Sequence, residues 1–124
     1  MNDKLKRYGL IFIRLLLALA FIGAGGAKLA GVEMMVATYE TIGVGQWFRY
    51  LTGIIEVGSA ILLFVPGKQA WGAALLVCTM IGAVIAHLFI LGPGSTPAIV
   101  LGLLSLVVVY TYRRQLPVIN RWNR

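Results

Sequence analysis

Cysteine, histidine and acidic side chains are all scarce in this chain. Of its 124 residues one is cysteine (Cys78), one is histidine (His87) and four are acidic. A lone cysteine forms no intrachain disulfide and leaves cysteine usage silent on redox compartment. A lone histidine excludes bis-histidine haem. Copper ligation through Cys78, Met34, Met35 or Met80 has soft donors but no supporting spacing, so no metal site is expected. Charge as a whole is low, 12% of residues, which leaves no polar stretch long enough for a separate soluble domain. Fifteen glycines are present, yet none opens a phosphate loop followed by lysine and a hydroxyl residue. Ser59 and Ser105 have no acid or base beside them and read as small helix-packing residues, so no catalytic residue is assigned.

Apolar side chains make up 60% of the chain, and the mean hydropathy is +0.89. These values belong to integral membrane proteins. Eleven basic residues against four acidic ones give a net charge of +7. Because the basic residues flank apolar spans, they set orientation and touch anionic lipid; no nucleic-acid partner is expected.

Residues 1–124 read as one transmembrane domain. After the basic flank MNDKLKR, an apolar run over residues 8–30 is longer than a signal-peptide core and is interrupted by Arg14, so it is expected to be a first membrane helix. In residues 31–46, Val32, Met35, Val36 and Tyr39 fall at helical spacing and Lys and Arg are missing. This predicts a short helix lying in the membrane interface, ended by Gly43 and Gly45. Further spans are expected over residues 47–65, 70–91 and 98–112, joined by short turns at Pro66-Gly67 and at GPGSTP, residues 92–97. The basic tail, residues 113–124, is expected on the inner leaflet.

Eight of the basic residues (Lys4, Lys6, Arg7, Lys68, Arg113, Arg114, Arg121, Arg124) fall on one side of this arrangement and only Lys28 and Arg49 on the other. The positive-inside rule then puts both termini in the cytoplasm. The expected fold is all-α, an integral membrane four-helix bundle with a short interfacial helix between its first two spans.

Glu56 lies in the middle of the second span, where a carboxyl must be paired, protonated or turned to a protein-lined cavity. A rise of ~1.5 Å per residue puts Arg14 ~7 Å from Glu56 in height, and Lys28, Arg49 and His87 near the outer boundary. The buried polar site is therefore expected to comprise Arg14, Glu56 and His87, with Lys28 and Arg49 at its outer mouth. Arg14, Ala18, Phe21, Gly25 and Lys28 share one face of the first helix, and Arg49, Gly53, Glu56 and Ala60 share one face of the second. Met80, Ala83 and His87 mark the third helix, and Ala98, Gly102, Ser105 and Val109 the fourth. Alternating charged and small residues suit close backbone approach around an inward polar site. Glu56 is read either as a structural ion pair with Arg14 or Arg49, or as a carboxyl that exchanges a proton with a quinol or substrate. His87 is read either as a neutral imidazole bonded to backbone or as a donor to a quinone carbonyl.

The Arg14 helix leading through glycines to Lys28-Leu29, the Glu56-x-Gly58 pair, the Pro66-Gly67 turn and the late His87 together resemble the DoxX family of small bacterial membrane proteins. The resemblance spans nearly the whole chain. It implies a multi-pass protein of the bacterial inner membrane, linked to redox systems as a subunit of, or partner to, a membrane oxidoreductase, with quinone as a candidate cofactor. Relatives that assist disulfide formation are a poor match, since Cys78 alone supports no CxxC-type exchange. Three functions remain open. One is an accessory, quinone-binding subunit that is not a self-sufficient enzyme. Another is a binder, carrier or transporter of a small apolar molecule, which requires a continuous cavity. The third is a homo-oligomeric or partner-bracing scaffold built on Gly82-x-x-x-Ala86.

Overall fold

The computed structural model describes residues 3–117. Among them there are five α-helices and no strand. α1 is Asp3–Ala30, α2 Glu33–Ile42 and α3 Gln46–Leu62. α4 is Gln69–Leu91, its last five residues His87–Leu91 wound as a π-turn, and α5 is Thr96–Thr111. A single 3-10 turn, Arg113–Gln115, follows. The expected inner-leaflet stretch around Trp122 lies outside the described residues.

Glycines in the left-handed region set most boundaries. Gly31 (φ 72°) stops α1, and Gly43 (φ 84°) closes α2 by donating its N–H to the Tyr39 carbonyl, a conformation that a side chain bearing a Cβ resists. α3 ends at Leu62, three residues before the expected limit of its span. Val65 precedes Pro66 and is kept from continuing the helix, so Phe64 and Val65 bond in tight turns to Ile61 and Leu62. α1 in turn begins at Asp3, so the basic residues Lys4, Lys6 and Arg7 are helical. Among the described residues two helices, α1 and α4, are long and apolar enough to cross a membrane, and α5 is apolar but shorter.

α1 packs along α3, α3 along α4 and α4 along α5, with lighter contact from α5 back to α1. Gly25 meets Gly53 while Arg14 meets Leu63, so α1 and α3 run antiparallel. Small residues make the closest approaches. A Cβ on Gly25 would stand 2.9 Å from the Gly53 carbonyl, and one on Gly72 would stand 2.6 Å from the Ser59 carbonyl. The core between them comprises Leu17, Ala18, Phe21, Ala60, Leu63, Ala73, Leu76, Met80, Ala98 and Val108. Many of the larger apolar side chains point outward instead, with Leu19, Phe12 and Phe89 among the most exposed. That is the reverse of a water-soluble protein and makes an apolar coat much larger than such a protein carries.

Candidate functional site

α3 turns one stripe inward: Arg49, Gly53, Glu56, Ser59 and Ala60 are all buried. Apart from Ser59, this is the face that helical phase predicted. Glu56 is 2% exposed, and its Oε1 lies 2.6 Å from Nζ of Lys28, whose side chain is 13% exposed. The ion-pair partner is thus neither Arg14 nor Arg49.

Side-chain direction explains the choice. Side chains on a helix lean toward its N-terminus. Because α1 and α3 are antiparallel, Lys28 near the end of α1 leans back along α1 while Glu56 leans toward the start of α3, and the two converge. Arg14 leans away. Its nearest level on α3 is Leu63, about seven residues beyond Glu56, or ~10 Å along the axis. There it donates from Nη1 to the Leu63 carbonyl at 3.0 Å and its guanidinium sits 5.1 Å from the Phe64 ring and 5.7 Å from that of Tyr112. The expected column from Arg14 through Glu56 is therefore broken. Arg14 caps the far end of α3, satisfying a carbonyl that the helix leaves open.

Arg49, 5% exposed, joins the site from behind. Its Nη1 donates to the Lys28 carbonyl, and its Nε donates to Gln46 Oε1 at 2.8 Å. Gln46 in turn donates from Nε2 to the Val36 carbonyl of α2 at 3.0 Å. A polar chain thus runs from α2 through Gln46 and Arg49 to the end of α1, and through Lys28 to Glu56. A guanidinium at the C-terminal end of α1 also opposes the negative end of that helix dipole.

The pair opens onto a cavity of about 750 Å³ between α2, α3 and α4. Its walls are largely apolar, formed by residues such as Met35, Tyr39, Phe48, Ile55, Met80 and Ala83, with Lys28 and Glu56 at the inner end and His87 at the start of the π-turn. His87 Nδ1 lies 3.3 Å from the Gly92 carbonyl oxygen. Of the predicted site residues, the structure gathers Glu56, Lys28 and His87 around one cavity, sets Arg49 directly behind it and leaves Arg14 out. Lys28 belongs at the centre of the site rather than at its mouth. Sequence reasoning missed Gln46; its spacing of three before Arg49 on one helix face was the available signal.

The volume lies within the ordinary range of small-molecule sites, and a mostly apolar wall with few convergent polar groups is their usual chemistry. An ammonium has three donors, so Lys28 can hold Glu56 and still donate to an oxygen in the cavity. Among the described residues no three of His, Cys, Asp and Glu come together as metal ligands would.

Residues 12–110 match the model of the DoxX-like family, a membrane-associated group. No curated protein and no solved structure matches the chain.

Proposed function

The chain belongs to the DoxX-like family, and from that premise we propose that it crosses the bacterial inner membrane several times and holds a small, mostly apolar molecule with a hydrogen-bonding head. In this reading α1, α3, α4 and α5 are the four helices of a transmembrane bundle, α2 lies at the outer interface and both termini face the cytoplasm. The outward apolar coat and the skewed distribution of basic residues support that placement.

One observation carries the binding reading: an apolar cavity of about 750 Å³ that ends on a buried lysine–glutamate pair. A quinone is the first candidate, because its ring and tail suit the walls and its carbonyl suits a free Lys28 donor, with Glu56 available to accept from a quinol hydroxyl. The chain then serves as the quinone-holding accessory of a membrane oxidoreductase rather than as a complete enzyme.

The test is purification in mild detergent, mass spectrometry of the extracted small molecules, and titration of nanodisc-embedded protein with a decyl-tailed benzoquinone. Saturable binding is expected, weakened roughly 10- to 150-fold in Lys28→Met by loss of a charge-assisted hydrogen bond of about 1.5–3 kcal/mol. An extract free of quinone together with no saturable binding would refute the reading.

A further inference from the structure

The cavity is not sealed on all sides, and the position of its mouth bears on how its occupant arrives. α3 and α4 are pressed together at one end of their hairpin, where Gly72 lies against the Ser59 carbonyl and the Leu62 side chain. Away from that contact the cavity lies between the two helices, lined by Leu51, Thr52, Ile55 and Glu56 of α3 and by residues of α4 from Leu75 onward. At its inner wall Glu56 and Met80 are buried. Along the outward seam the lining residues are open: Leu51 on α3 is 42% exposed and Leu75 on α4 is 44% exposed. Cys78 and Gly82 are exposed and line the same cavity. Leu75, Cys78 and Gly82 recur at three and four residues and so form one stripe along α4. A Cβ on Gly82 would meet nothing within 4 Å. None of these four rim residues is charged, whereas the charged pair stands at the inner end.

We infer that the slot between α3 and α4, rimmed by Leu51, Leu75, Cys78 and Gly82, is a lateral doorway through which a neutral, lipid-dissolved molecule passes between the bilayer and the Lys28–Glu56 pair. This rests on the binding reading above and adds to it a route and a ligand class. The ligand partitions into hydrocarbon before it binds, and it enters ring first past an apolar rim, so that its carbonyl reaches the pair. A water-borne anion meets no cation at that rim, and the hydroxyls of Thr52 and Thr79 in the wall beyond it are bonded to the Phe48 and Leu75 carbonyls of their own helices. Gly82 keeps the slot wide because any larger side chain there projects into open space at the rim.

The test replaces Gly82 in turn by Ala, Leu and Trp, with Gly58→Trp as control. Gly58 lies on α3, is also open to an added Cβ, and does not line the cavity. Stopped-flow association of the decyl-tailed benzoquinone with liposome-embedded protein is the readout. A doorway predicts that association and dissociation slow together as the side chain grows, about tenfold or more for Trp, with little change in Kd, because a barrier raises both rates' activation energies alike. Gly58→Trp should match the wild type. Bimane attached to Cys78 should be quenched by nitroxide-bearing lipid acyl chains and not by aqueous iodide.

Unaltered association throughout the Gly82 series would overturn the doorway, as would loss of affinity at an unaltered association rate or equal slowing by Gly58→Trp. Iodide quenching at Cys78 would overturn the lipid route. Any of these, alongside wild-type binding that depends on Lys28, removes the doorway and leaves the binding reading standing. Absence of saturable binding to the wild type removes both.

Discussion

Removing one member of the Lys28–Glu56 pair should cost far more than removing both. Lys28→Met keeps an aliphatic stem of similar length and leaves a carboxylate that is 2% exposed without its cation. Stranding a buried charge in this way costs about 3–5 kcal/mol. Glu56→Leu strands Lys28 instead, but Lys28 stands in the last turn of α1, where its ammonium can swing toward the helix end, so about 1–2 kcal/mol is expected. The double variant exchanges the pair for apolar side chains of comparable volume and should fall within about 1 kcal/mol of the wild type or above it. The single costs therefore exceed the double by roughly 3 kcal/mol or more, a coupling well beyond the ~0.5 kcal/mol expected of independent sites.

The assay is reversible unfolding in bicelles or mixed micelles, followed by circular dichroism for the wild type, both singles and the double. Arg14→Met crossed with Glu56→Leu is the control. With Arg14 facing Leu63, ~10 Å along the axis from Glu56, that cycle should be additive to within about 0.5 kcal/mol. Additivity for Lys28 with Glu56, or coupling of Arg14 with Glu56, would refute the geometric argument from side-chain lean and return the column that helical phase alone suggested.

Two further outcomes follow from the packing. Gly25→Ala, Gly53→Ala and Gly72→Ala each drive a methyl to 3.0 Å or less from a backbone carbonyl on a neighbouring helix; each should lose about 1–3 kcal/mol, while Gly58→Ala, open on its outer side, should be neutral or gain up to about 1 kcal/mol. Equal unfolding midpoints across the four variants would contradict the close helix crossings. Arg49→Gln removes the donors to the Lys28 carbonyl and to Gln46, at a cost of about 1.5–3 kcal/mol for the lost hydrogen bonds from a charged group. Hydrogen exchange should then rise at α2 and the end of α1 and stay unchanged along α4 and α5, and uniform protection would count against the relay.

The stripes on the first and second predicted spans show how much of the packing was legible. On α3 the spacing of Arg49, Gly53, Glu56 and Ala60 was enough to name the buried face, and all four residues are buried. On α1 the same reasoning named Ala18, Phe21 and Gly25, which are buried too. Ser105 and Ala98 on α5 follow suit, whereas Val109 gives way to its neighbour Val108. Phase failed at Arg14 for a reason that spacing cannot express. Sharing a face with Lys28 says nothing about which way along the helix each side chain leans, and Arg14 leans toward the wrong end.

What the sequence by itself determined is the helical, apolar character of the chain, the glycine stops, and the inward faces of α1 and α3, because these follow from local conformational preference and a 3.6-residue period. Only the tertiary structure decided that Glu56 pairs with Lys28, since that depends on the antiparallel register of α1 and α3 at the Gly25 and Gly53 crossing. It alone also decided that α3 and α4, held close at Gly72, line a cavity beyond it. Contacts between distant segments set both features, and no window of the chain contains them.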